Sequence, residues 1–470
     1  MKKILSITLS LILMTSVFVP LSASAASGPE PPKSDKSFAI NGAGATFPYP
    51  LIDTWRVEYN KLHPNVNVNY QSIGSGGGVK QHTERTVNFG ASDAPLTTAE
   101  ANLASGTLHI PEAIGSVVMA YYLPEVPKSG LKLTGEIVAD IYLGKIKRWN
   151  DPKIAELNPE TKMPDRPILV TRRSDGSGTT YVFTDYLSKV SKEWATKVGA
   201  GKSVPWPTGV GAAGNEGVAW ATRNTKYAIG YVELAYAFQN GMTYAYLQNA
   251  DKTKFIEPNL ESVFAAVSAF DVNQLPKAEA DWSKVSITNA PGENSYPIAS
   301  FTYLLLYENI DRSVKDMDEA KALVHLVHWM ITDGQKFSKP LLYDPLPPAV
   351  QELGKQGLAR IKFNGETVWN YGSAKQAGTD LVKSDTTDKK TEPKKTEPKK
   401  TEPKKTEPKK TEPKKTEPKK TEPKKTEPKK TEPKKTEPKK TEPKKTEPKK
   451  TEPKPKTTTK PTTVKPTSSK

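Results

Sequence analysis

Four places in this chain carry the same local design: a short extended segment, a turn of small polar residues, then the start of a helix. They centre on GATFP (44–48), GSGGG (74–78), ASDAP (91–95) and RRSDGSGTT (172–180). A strand that feeds a helix through a short turn packs that helix back onto its own sheet, so the recurrence predicts α/β layers. The surrounding segments agree. Pro48–Leu62 sets Leu51, Ile52, Trp55 and Tyr59 along one helical face, and VNVNYQSI (66–73) alternates as a strand does. VKQHTER after the glycine run continues as a helix, and so do TTAEANLA and TTYVFTDYLSKV. VNFGAS (87–92), PILVTRRS (167–174), part of YAIGYVELAYA (227–237) and YPIASFTYLLLY (296–307) read as strands, with KALVHLVHWMI (321–331) as a helix. The chain is expected to cross between two lobes near 113–118 and 288–294. That gives residues 37–115 and 292–376 to lobe I and 116–291 to lobe II.

The two ends stand apart from this pattern. Residues 1–26 open with two lysines, continue through an apolar stretch and close on Ala23-Ser24-Ala25, the order of a cleaved secretion signal. A polar leader follows at 27–36. No later segment reaches about 18 uninterrupted apolar residues, the length of a membrane span. Within a tail at 377–470, residues 391–450 are twelve consecutive TEPKK pentads. Proline at every fifth position forbids a continuous helix, and the repeat has almost nothing apolar to bury. The tail is therefore expected to be disordered and biased toward polyproline II, with the repeats reaching at most about 190 Å at roughly 3.1 Å per residue.

Charge follows the same division. The chain carries a formal +17, but residues 377–470 hold 32 Lys and Arg against 16 Asp and Glu. With the two signal-peptide lysines removed as well, the remainder sits near −1, so nucleic-acid binding is not indicated. There is no cysteine. Disulfides, thiolate nucleophiles, cysteine metal sites and a lipidated N-terminal cysteine are all excluded, and stability has to come from a substantial core.

The four turns point to one kind of chemistry. A helix that starts after such a turn exposes unpaired N–H groups and the positive end of its dipole, and several such ends directed at one spot bind an anion without much net charge. Each turn alone is also what a self-capped helix needs. The strongest cluster is Arg173, Ser177, Gly178 and Thr179: a guanidinium can present two parallel donors, the hydroxyls add more, and glycine lets the backbone approach closely. Asp175 either holds the guanidinium or forms the turn. Asp93 either caps a helix starting near Pro95 or faces the ligand. The turns match neither a Walker loop, nor a dinucleotide fingerprint, nor a nucleophile elbow.

The motifs GAGATFP (42–48), NYQSIGSGGGVKQ (69–81), VNFGASDAPL (87–96), DIYLGKIKRWN (140–150), RRSDGSGTTYVFTDYLSKV (172–190) and GNEGVAWA…AIGYVELAYA (214–237) resemble those of the phosphate-binding proteins of bacterial phosphate ABC importers. The resemblance implies a type II periplasmic-binding-protein-like α/β fold. Each of its two lobes would be a mixed sheet flanked by helices, with the ligand in the interlobe cleft. It also implies phosphate contacts from Thr46, Phe47, Ser75, Asp93, Arg173, Ser177, Gly178 and Thr179, with Asp175 behind Arg173, and no catalytic residue, metal or cofactor. Gly76 departs from relatives that carry a second serine there, and Ser174 stands where alanine is familiar. The implied partners are inorganic phosphate and the importer's membrane permease subunits, and the implied location is extracytoplasmic.

An ionised Asp93 can only accept hydrogen bonds. Hydrogen phosphate brings an O–H to it and sulfate does not, so such a site prefers phosphate. Three rival readings are an exported acid phosphatase, a sugar-binding protein and a surface-attachment protein. His325 and His328, three apart on one helix, would serve the first as metal ligands. Scattered tryptophans such as Trp149, Trp206, Trp220 and Trp329 would serve the second, and tail lysines meeting anionic wall polymers the third.

Overall fold

The computed structural model describes residues 28–371. The signal-peptide and tail expectations lie outside the described residues.

Strand β1 (Phe38–Gly44) leads through Ala45–Pro48 into helix α1 (Tyr49–Leu62), whose Leu51, Ile52, Trp55 and Tyr59 are all buried, as their spacing predicts. Strand β2 (Val66–Ser72) runs parallel to β1 in register Phe38↔Val66 to Gly44↔Ser72 and feeds helix α2 (Ser75–Thr83). This helix begins inside the glycine run rather than at Val79. Gly74 makes the early start feasible: its φ of 83° lies in the left-handed region that glycine enters at no steric cost.

Strand β3 (Phe89–Ser92) pairs parallel with β1. The fifteen-residue strand β4 (Thr107–Tyr121), which the sequence reading did not assign, follows. All fifteen residues are buried, so the period-2 alternation that exposes a half-buried strand is missing, and Pro111 and Gly115 interrupt it as punctuation would. Strand β5 (Leu169–Arg173) leads into helix α3 (Gly178–Val190), and strand β6 (Val210–Ala212) into helix α4 (Gly214–Asn224). Strands β7 (Ala228–Glu233) and β8 (Thr243–Tyr244) precede β9 (Ala299–Tyr307), which starts three residues later than YPIASFTYLLLY suggested; helix α5 is Met317–Ile331.

These nine strands join in the order β2-β1-β3-β9-β4-β7-β5-β6, with β8 also on β4. The path is mixed: β9 is antiparallel to both β3 and β4, whereas β5 pairs parallel with β6 and β7. Strand β4 changes partner along its length. Thr107–Ser116 pair with β9, and Val117–Tyr121 pair with β7. The two halves of the chain are therefore joined in one strand path. At Thr302/Tyr303 the register against β4 shifts, because Thr302 faces Ala113 while Tyr303 faces Pro111. Glu112 is the extra residue of this β-bulge, a device that re-aims a side chain.

Among the described residues no helix is long and apolar enough to cross a membrane.

Candidate functional site

The C-terminal ends of β1, β2, β3 and β5 carry the four turns singled out in the sequence, and the structure brings residues from all of them together. Thr46, Phe47, Ser75, Asp93, Arg173, Ser177, Gly178 and Thr179 are all buried.

Arg173 closes β5, and its backbone N–H donates to the Tyr231 hydroxyl at 3.1 Å. Its guanidinium forms a fork with Asp175: Nε donates to Oδ1 at 2.7 Å, and Nη2 donates to Oδ2. The Gly214 amide adds a bond of 3.1 Å to Oδ1. Burial works against the Asp175 charge, but the bonds and charge of Arg173 outweigh it and hold the carboxyl below its ordinary range. Of the two readings left open for Asp175, the structure shows the guanidinium holder.

The remaining guanidinium nitrogen, Nη1, points at the other turns. It donates to Thr46 Oγ1 at 3.2 Å and to Thr179 Oγ1 at 3.4 Å. Thr46 Oγ1 also meets the Asn215 amide at 3.1 Å and Asn215 Nδ2 at 2.8 Å, and Nδ2 reaches Thr179 Oγ1 at 3.0 Å. Three donors thus converge on one hydroxyl oxygen, which offers two lone pairs. The cluster has more N–H groups than its own oxygens can accept.

Asn215 was not among the sequence candidates. The signal was available, because strand β6, the Ala213-Gly214 turn and α4 repeat the strand–turn–helix design a fifth time, with Gly214 at φ 70°. Its Oδ1 accepts from the Glu233 amide at 2.9 Å, which fixes the amide's orientation toward Thr46.

Ser75 opens α2 and ties two turns together. Its Oγ accepts from the amides of Gly178 at 3.0 Å and Asp93 at 3.3 Å, and donates to Asp93 Oδ2 at 3.4 Å. Next to it the Gly76 amide donates to Gly176 O at 2.8 Å. A Cβ at residue 76 would stand 3.0 Å from Gly176 Cα, so glycine here allows the two turns to touch. Gly178 is tighter still: a Cβ there would lie 2.4 Å from Asp93 Oδ2 and 2.5 Å from Ser75 Oγ. Ser177 caps its own helix, accepting the Thr180 amide at 3.0 Å. Phe47 buries its ring against Gly115 and Tyr343, while its carbonyl accepts from the Tyr343 hydroxyl at 2.7 Å.

Asp93 does not cap a helix. The helix after it begins at Thr98 and is capped by Thr97, in a box closed by Glu100. The Asp93 carboxyl instead accepts the Thr302 hydroxyl on Oδ1 at 2.9 Å. Burial pushes it up to about 7, against the pull of the Thr302 bond, the Arg173 charge and the Ser75 bond.

His325 and His328 part company. His325 Nδ1 meets the Tyr59 hydroxyl at 2.8 Å, whereas the His328 ring lies edge-on to Trp369. Trp149 and Trp329 are packed into the core, Trp206 stacks on Tyr231, and Trp220 is exposed.

Comparison with known proteins places this geometry. The family model described as PBP superfamily domain matches residues 24–328. The phosphate-binding protein PstS of Xylella fastidiosa (strain Temecula1) is 46% identical over 325 residues, covering 68% of this chain and 85% of that protein. That of Methanocaldococcus jannaschii is 38% identical over 377 residues, covering 77% and 96%. The chain belongs to the PstS phosphate-binding protein family. A solved phosphate-binding protein from Stenotrophomonas maltophilia shares the fold at a TM-score of 0.54 and 19% identity, over 72% of this chain and 97% of that one. The fold is thus the α/β periplasmic-binding-protein-like one, and PstS proteins are named for binding rather than for a reaction.

Proposed function

We propose that this chain binds inorganic phosphate outside the cytoplasm and delivers it to the membrane permease subunits of a phosphate ABC importer, as a binding protein and not an enzyme. The observation that carries the reading is the surplus of donors around Thr46 beside a deeply buried acceptor, Asp93. An oxyanion supplies the missing acceptors, and an oxyanion that still carries a proton also satisfies Asp93. Phosphate meets both conditions near neutral pH, while sulfate meets only the first.

In this reading one lobe contributes Thr46, Phe47, Ser75 and Asp93, and the other contributes Arg173, Ser177, Gly178 and Thr179, with Asp175 setting the guanidinium. The change of partner along β4 at Ser116/Val117 supports a first crossing there. The bonds from Gly178 to Ser75 and from Gly76 to Gly176 support a closed arrangement that phosphate selects, since only closure completes the shell. The permease would read the closed surface. The Lys-rich tail would associate with anionic wall polymers, a contact that salt should weaken.

Calorimetric titration of phosphate, arsenate and sulfate into the full chain tests the reading. Tight 1:1 phosphate binding with weak sulfate binding is expected, and no phosphate release from added esters. Equal phosphate and sulfate affinities would sink it.

A further inference from the structure

Behind Asp93 stands a second buried carboxyl that the binding shell does not use. Glu112, the bulge residue of β4, is fully buried, and its Oε1 lies 3.1 Å from Thr302 Oγ1. The same hydroxyl lies 2.9 Å from Asp93 Oδ1. A threonine hydroxyl has one hydrogen to give. It can donate to Asp93 or to Glu112, and the other contact needs a proton on the carboxyl itself. The second oxygen of Glu112, Oε2, is buried with no partner, a costly position for an ionised group and a tolerable one for a neutral acid.

We propose that Glu112 is a positioning and specificity-determining residue of the phosphate site: it stays protonated, donates to Thr302, and so commits the Thr302 hydrogen to Asp93. The inference rests on the phosphate-binding reading and deepens it. Asp93 Oδ1 is then permanently occupied by a fixed donor. Oδ2, the oxygen on the side of Ser75 and Gly178, is left to read the proton of the ligand. The bulge is what makes this arrangement available. Without the extra residue, the side chain at 112 would follow the regular alternation of β4 instead of meeting Thr302 across the register shift.

The charged and titratable groups in and around the site agree with a neutral acid at Glu112. Burial lifts its carboxyl to about 8; the Thr302 bond opposes this and the Asp93 charge adds to it. Tyr70, on β2, feels the charges of both Glu112 and Asp93. Glu233, at the end of β7, is pushed up by burial and further by Asp93, and it brings no positive charge. Asp344 pairs by backbone with Ile114 and is itself lifted by burial against Lys339. Gln335 donates to the Glu112 carbonyl at 2.8 Å, which holds the bulge but not the carboxyl. Arg173, the cation of the site, acts on Asp93 and is tied to Asp175.

The test compares phosphate affinity of the full native chain, Glu112→Gln and Thr302→Val across the alkaline range. A glutamine amide donates to Thr302 at every pH, whereas glutamate stops donating once ionised. In the native chain the dissociation constant is expected to rise about tenfold more between about pH 7 and about pH 9 than in Glu112→Gln. In Thr302→Val, adding Glu112→Gln should change the pH profile no further, because the relay is already cut. Difference infrared spectra supply a readout independent of affinity: native minus Glu112→Gln at neutral pH should show the loss of one protonated-carboxyl component, while those of Glu233, Asp93 and Asp344 remain. Parallel pH profiles in the native chain and Glu112→Gln, or protonated-carboxyl absorption that the substitution leaves undiminished, overturn the proposal. Absence of phosphate binding by the native chain would instead overturn the reading beneath it.

Discussion

The turn after β3 and the turn after β5 each bring one aspartate into the same cluster, and they treat it in opposite ways. Asp175 receives the guanidinium fork of Arg173 and the Gly214 amide and is held ionised. Asp93 receives hydroxyls from Thr302 and Ser75 and the distant charge of Arg173, and burial lifts it to about 7. The difference separates two tasks that a single carboxylate could not perform. One acid orients the cation that attracts the ligand, and the other stays poised to test whether the ligand carries a proton.

The largest effect should come from breaking the first arrangement. Arg173→Ala removes the charged donor and strands Asp175, which is partly buried. Truncating a buried charged donor to a ligand costs about 2–5 kcal/mol of binding, roughly a thirtyfold or greater loss of phosphate affinity in calorimetry. Arg173→Lys should recover only part of it, since an ammonium cannot reproduce the fork.

Breaking the second arrangement should alter choice more than strength. Asp93→Asn replaces the proton-reading acceptor with a group that can also donate. Phosphate is expected to weaken about tenfold while its preference over sulfate shrinks about a hundredfold. The native chain carries a sharper signature of the same residue. Sulfate should bind only the protonated form of Asp93, so its affinity should fall about tenfold per pH unit above about 7 and level off below. In Asp93→Asn that slope should disappear, and a slope that persists would assign the proton to another group.

The two turns also differ in how openly the sequence declared them. Arg173, Ser177, Gly178 and Thr179 lie consecutively in one motif, and the local chemistry of cation, hydroxyl and glycine names them without help. The role of Asp93 was equally open to a capping reading, because nothing local shows that the next helix waits until Thr98. Its real partners are distant in sequence. Thr302 sits inside an apolar strand, and Glu112 sits at a bulge between Pro111 and Ala113 that only the pairing of β4 with β9 creates. Periodicity found the surface-facing elements such as α1, and it failed on β4 because a strand buried on every residue has no period to read. Chain order likewise cannot reveal that Asn215 and Arg173 share the Thr46 hydroxyl.

A subtler break acts on the contact between the turns. Gly178→Ala would put a methyl group 2.4 Å from Asp93 Oδ2 and 2.5 Å from Ser75 Oγ, closer than carbon and oxygen can stand. The turns must separate or the carboxyl must rotate. Overpacking of this kind costs about 1–3 kcal/mol, and it should fall more heavily on phosphate affinity than on the unfolding midpoint, because the clash is at the junction and not in either sheet.

The smallest effect concerns stability without ligand, and it follows from the same burial that lifts Asp93. Asp93 and Asp344 are raised to about 7 and Glu112 to about 8, so each binds a proton more tightly in the folded chain than in the unfolded one. Their contribution is complete below the ordinary carboxylate range and is lost as pH rises toward about 8. The buried histidines run the other way. His82 is lowered to about 3, and His109, His325 and His328 to about 4, each by burial, so their contribution is present above 6.5 and is lost on acidification. Below 6.5 the two sets oppose each other; above it only the acids still titrate. Urea unfolding of the phosphate-free chain should therefore show stability falling steadily between about pH 6.5 and about pH 8. Asp93→Asn should flatten the part of that decline below about pH 7, because asparagine has no proton to lose. The Asp175 turn, whose carboxyl is already ionised throughout this range, should leave the slope unchanged when Asp175→Asn is measured beside it.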